Sequence, residues 1–145
     1  MNNNSGDNIQ LSKILRLQSV RIRRYERDML DKRNAYLESD QKVKQRESEI
    51  QKIHQTHSDL NNYRNSDDVV SSPNKMELLK VKRYWLNYDL EMHEYYHQGE
   101  VSEKDEANQE YSKSRNIWLK EKLKSHMMES LQLDVSAQVG DIQDD

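Results

Sequence analysis

The chain has 145 residues, 33% hydrophobic and 34% charged, with a formal net charge of -3 and neither Cys nor Phe. That length allows one domain at most, and so little apolar content leaves no material for a wide globular core. Without cysteine, a disulfide framework and a thiolate metal site are excluded.

Three Gly and one Pro over the whole length leave few places to break a helix. Long helices with a narrow buried seam are therefore expected. The mean hydropathy of -1.21 would also suit disorder, but eight Tyr, two Trp and a sustained heptad argue against it. No apolar run approaches the roughly 20 residues of a membrane span. The opening segment is polar, so no signal peptide is expected and a soluble, cytoplasmic protein is.

In chain order, residues 1–7 are expected to be disordered and a first helix to run over 8–64. Asp7 with Gln10 three residues on resembles a capping box at its start. Leu15, Ile22, Met29, Tyr36, Val43, Ile50 and His57 form a coiled-coil a column. The d column reads Leu11, Gln18, Tyr25, Lys32, Ser39, Arg46, Ile53 and Leu60, polar in its middle. Such a helix would be roughly 80 Å long. A joint over 65–72 follows in "NSDDVVSSPN", where Ser72 and Pro73 match an N-cap and first helical position.

A second helix is expected over 73–133, with Met76, Leu79, Leu86, Leu90, Tyr111, Trp118, Leu123, Met127 and Leu131 on its apolar positions. Residues 134–145, with Asp134, Asp141, Asp144 and Asp145 and no Lys or Arg, read as an acidic disordered tail. Folding at the joint pairs positions whose numbers sum to about 138. Leu11 and Leu15 would then meet Met127 and Leu123, Ile22 would fall near Trp118, and Ile50 and Ile53 would lie opposite Tyr88 and Trp85. The polar middles of the two helices, near 31–48 and 97–109, also meet, and fraying is expected there. The fold expected is all-α: a long antiparallel two-helix coiled-coil hairpin with disordered termini.

One motif invites a catalytic reading. His93-Glu94-Tyr95-Tyr96-His97 matches H-E-x-x-H, in which two histidines one helical turn apart hold zinc. In the longer form of that signature a Gly falls three residues after the second His; here Gly99 is one residue early and Glu100 stands in its place. No sheet is expected to line a substrate cleft, and the seam needs the face of His93. The match reads as an accident of a His-, Glu- and Tyr-rich helix. His54 and His57 read as polar residues at the seam edge. No glycine-rich phosphate loop or scaffolded Ser/His/Asp set is present. The expectation is a non-enzyme with no catalytic residue, metal or cofactor.

Two stretches suit binding. "KILRLQSVRIRRYERDMLDKR" packs Arg16, Arg21, Arg23, Arg24 and Arg27 into the open end of the hairpin, where the other helix brings Lys120 and Lys124. An acidic protein surface fits this charge better than nucleic acid, since no recognition motif accompanies it and the net charge is negative. "RYWLNYDLEMHEYY" holds Tyr84, Trp85, Tyr88, Tyr95 and Tyr96. At 100° per residue they cannot all face the first helix, so some must lie open to a partner.

The opening "LSKILRLQSVRIRRYERDMLDKRNAYLES", with "MELLKVKRYWLNYDLEMHEYY" and "YSKSRNIWLKEKLKSHMMESL" on the second helix, resembles the type III secretion central stalk proteins of the YscO/FliJ family. The likeness spans residues 9–131 and rests on layout and charge pattern. It implies a non-enzymatic central stalk, serving protein transport and virulence, whose terminal end enters the hexameric secretion ATPase and stimulates it. It further implies contact with the membrane export gate nearer the joint, and in some members with export chaperones. Carried over, Arg16, Arg21, Arg23, Arg24, Arg27, Lys120 and Lys124 would meet the ATPase ring, and Tyr84, Trp85, Tyr88 and Tyr95 the export gate. The protein would be a monomer at the cytoplasmic face of the apparatus, with no membrane insertion and no nucleic acid. The alternative is a coiled-coil adaptor or self-assembling scaffold unrelated to secretion.

Overall fold

The computed structural model describes the backbone of residues 2–66, 69 and 71–144 and the side chains of 6–66, 69 and 71–138. Two helices, α1 (Asn2–Arg64) and α2 (Pro73–Asp144), pack against each other as a hairpin. No strand occurs among the described residues. Two compact units are distinguished: a terminal unit, Met1–Asn34 with Asn108–Asp145, and a joint unit, Ala35–Ala107.

Helix occupies both segments expected to be disordered. α1 begins at Asn2, so Asp7 lies inside the helix and its capping box with Gln10 does not form an end. α2 continues eleven residues beyond the expected stop at 133. The physical reason is the absence of proline there and a heptad that persists through Gln132 and Val135, both half-buried. The side chains of Asp141 and Asp144, and Asp145 altogether, lie outside the described residues, as do Asp67, Asp68 and Val70 of the joint.

The heptad of α1 is borne out in full: every member of the expected a and d columns is buried or half-buried. α2 supplies an equally regular series. In the joint unit it runs Met76, Leu79, Arg83, Leu86, Leu90, His93, His97, Glu100, Lys104 and Ala107. In the terminal unit it runs Tyr111, Ser114, Trp118, Glu121, Ser125, Met128, Gln132 and Val135. These alternating steps of three and four residues define a two-helix seam. Leu123, Met127 and Leu131, expected in that seam, point outward at 62%, 66% and 55% exposure.

The register also differs from the expected one. Cross-helix partners recur with residue numbers that total 144: Ser12 with Gln132, Asp40 with Lys104, Glu47 with His97, and Asn61 with Arg83. The offset is about six residues. Its cause lies in the joint, where Ser66 N–H donates to Tyr63 O, Val69 N–H to Ser66 O, and Ser72 N–H to Val69 O, at 3.0, 3.2 and 3.2 Å. These successive i, i+3 turns carry the chain onward past Arg64 before it reverses. The Ser72 carbonyl then accepts the first bond of α2 from Met76 N–H, and Pro73 takes the first helical position as expected. Ile50 and Ile53 consequently fall level with His93 and Leu90, not with Tyr88 and Trp85. Leu15 falls level with Met128, and Ile22 with Glu121 rather than Trp118.

The buried apolar set is small: Met29, Val43 and Leu79 in the seam and Val69, fully enclosed, in the joint. Each contributes about 1.5–3 kcal/mol. No helix is long and apolar enough to cross a membrane among the described residues.

Candidate functional site

The polar middle of the joint unit is where the seam departs furthest from hydrophobic packing. Arg46, at a core position, donates from Nη2 to Glu100 Oε1 at 2.8 Å and from Nε to both Glu100 oxygens at 3.3 and 3.2 Å. Its Nη1 donates to His93 Nδ1 at 2.9 Å, and its guanidinium lies 5.2 Å from the Tyr96 ring centroid. Next along the seam, Lys104 reaches Asp40 at 2.9 Å and His97 Nε2 lies 3.2 Å from Glu47. All cross-helix ion pairs among the described residues fall in this stretch, where fraying was expected.

The charges are matched to their settings. Hydrogen bonding from Arg46 holds the Glu100 carboxyl below its ordinary range, and Glu100 in turn raises Arg46. Lys104, and then Lys44, lower Asp40, while Asp40 raises Lys104. Sequence reasoning missed this network as a unit. Its signal was available in the polar letters at core positions of both helices.

The H-E-x-x-H pair sits inside this seam. His93 accepts from Arg46 and His97 faces Glu47, so each imidazole is engaged by α1. Among the described residues no group of three His, Asp or Glu side chains is placed to hold a metal. His54 is exposed and His57 half-buried at the seam edge.

The expected basic residues are all in the terminal unit and all exposed. Arg16, Arg21, Arg23, Arg24 and Arg27 make no ion pair among the described residues, while Lys124 lies 3.6 Å from Glu121. They do not form one stripe. Arg21 and Arg24 share a side of the hairpin with Lys120 and Lys124. Arg23 lies on the other side, in a groove with Leu15, Ser19, Lys122 and His126. There Lys122 Nζ stands 4.2 Å over the Trp118 ring.

The aromatic residues belong to the joint unit and face outward: Tyr84 65%, Trp85 57%, Tyr88 49% and Tyr95 71% exposed. Tyr84, Trp85 and Tyr88 touch edge to face, with centroids 5.5 and 6.0 Å apart. Tyr95 packs against Tyr96 at 5.7 Å, about two turns beyond Tyr88 along the helix.

The fold is that of an antiparallel helical hairpin that offers surfaces. No known protein family, curated protein or solved structure matches the chain.

Proposed function

We propose that this chain is the non-enzymatic central stalk of a bacterial type III secretion system, which binds and stimulates the hexameric secretion ATPase and links it to the export gate. The observation that supports this best is the division of surfaces on one hairpin. Exposed cations crowd the terminal unit, and open aromatic rings crowd the joint unit. Exposed arginines favour a partner of opposite charge, while exposed Trp and Tyr favour an interface. On this reading Arg16, Arg21, Arg23, Arg24, Arg27, Lys120 and Lys124 meet the ATPase ring, and Tyr84, Trp85, Tyr88 and Tyr95 the gate protein.

Replacing Arg21, Arg23 and Arg24 by Glu should abolish stimulation of the cognate ATPase with helicity intact. Stimulation that persists rejects the basic end as the contact. Trp85→Ala with Tyr88→Ala should weaken gate binding without melting the hairpin.

A self-assembling scaffold is the second reading, favoured by the outward Leu119, Leu123, Met127 and Leu131. Mass in solution by light scattering separates them, a monomer for the stalk and a dimer or larger for the scaffold.

A further inference from the structure

In the terminal unit, the bonds from Ser114 Oγ to Asp28 and from Gln132 to Ser12 set which side chains lie level across the hairpin. On the side where Asp28 meets Ser114, the levels follow a pattern. Ile14 is level with Leu131 and Leu17 with Met127, at 43%, 55%, 69% and 66% exposure. One step along, Arg21 is level with Lys124, and after it Arg24 with Lys120, all exposed. Successive levels are about 5 Å apart. Two apolar levels are thus followed by two levels with a cation on each helix.

We infer that this side of the terminal unit is a docking groove for a third helix, supplied by a partner protein, with an apolar turn followed by a carboxylate-bearing one. The side channel between two paired helices accepts a helix in the manner of a three-stranded coiled coil, with level side chains from both helices closing on its apolar stripe. Charge selects the occupant. Four like charges line the groove; of the acids beside them, Asp28 already accepts from Ser114 and Glu121 pairs with Lys124, while Asp31 lies beyond Arg24. A second copy docked groove to groove brings the same four cations, so that pairing leaves the charges uncompensated. Trp and Tyr anchors mark a lipid interface, and the groove has none. Glutamates or aspartates on a helix supply both the charge and the spacing.

This inference deepens the reading of the basic end as a docking surface and rests on it only for that. The test uses the full chain and a labelled amphipathic peptide of about 20 residues, long enough to be helical. One face of the peptide carries leucines, then glutamates one and two turns further on. Saturable binding is expected, weakened at least about tenfold by Leu17→Ser with Met127→Ser, and similarly by Arg21→Glu with Lys124→Glu. A peptide with lysines for the glutamates should bind at least about tenfold more weakly as well. Circular dichroism confirms that the variants remain helical.

No binding, equal binding of the lysine peptide, or binding unaffected by the Leu17 and Met127 changes overturns the inference. So does self-association, or binding to phosphatidylglycerol vesicles, that the same changes remove. Loss of ATPase stimulation in the Arg→Glu variants without peptide binding sinks the groove and leaves the stalk reading. Peptide binding without any effect on the ATPase does the reverse.

Discussion

Arg46 and Glu100 face each other from core positions of the two helices, with Nη2 and Oε1 2.8 Å apart and side chains 25% and 19% exposed. Removing Arg46 alone leaves a half-buried carboxylate and an unpaired His93. Arg46→Leu should lower stability by about 1–2 kcal/mol, less than for a fully buried pair because water reaches both groups. Arg46→Leu with Glu100→Leu should recover most of that loss. Urea unfolding of the four members of the cycle measures the coupling, and strict additivity would mean the pair is not coupled.

Acid should loosen the joint unit. Lys104 and Lys44 hold Asp40 low and Arg46 holds Glu100 low, so the unfolded chain takes up these protons at a higher pH than the folded one. Their contribution is present in full above the ordinary carboxylate range and is lost as pH falls through the lower folded-state values. The urea midpoint should therefore hold from neutral pH to about 5 and fall below about pH 4. Asp40→Asn with Glu100→Gln should flatten that fall; an unchanged acid limb would show that other groups govern it.

The seam assignment predicts a contrast between two leucines. Leu79 is 4% exposed and Leu123 62% exposed. Leu79→Ala should cost about 2–4 kcal/mol, and Leu123→Ala should stay within about 0.5 kcal/mol. Comparable losses in thermal melts would place Leu123 in the seam after all.

The register can be read chemically, since Lys104 Nζ lies 2.9 Å from Asp40 Oδ1. Zero-length carbodiimide coupling should join these two residues, identified by peptide mass. Coupling of Lys104 to other carboxylates in place of Asp40 would refute the register.

The hairpin and the whole core face of α1 were legible in the sequence because six of the seven a positions are apolar or aromatic, although Leu17, Val20 and Leu37 face outward on the same helix. α2 was harder. Leu123, Met127 and Leu131 are more apolar than Glu121, Ser125 and Gln132, which occupy the seam beside them. Hydrophobicity alone chooses the outward row, whereas the unbroken step of three and four from Met76 chooses the true one. The register escaped because helix-like turns in the joint look like loop letters. The outward position of Trp85 and Tyr88 was half-legible: angular spread required some aromatics to be open, but not which ones. The Arg46–Glu100 contact was hidden for a different reason. Polar letters at core positions say that something must satisfy them, and only the register says what.

The recurring bonds between α1 and α2 have a mechanical corollary in the joint unit. Sliding one helix past the other by a heptad would set Asp40 against His97, Glu47 against Leu90 and Asn61 against Met76, so the Asp40–Lys104, Glu47–His97 and Asn61–Arg83 bonds would all be given up together. A greasy seam would creep under load. This one is notched, and a tug on either helix is handed to its neighbour.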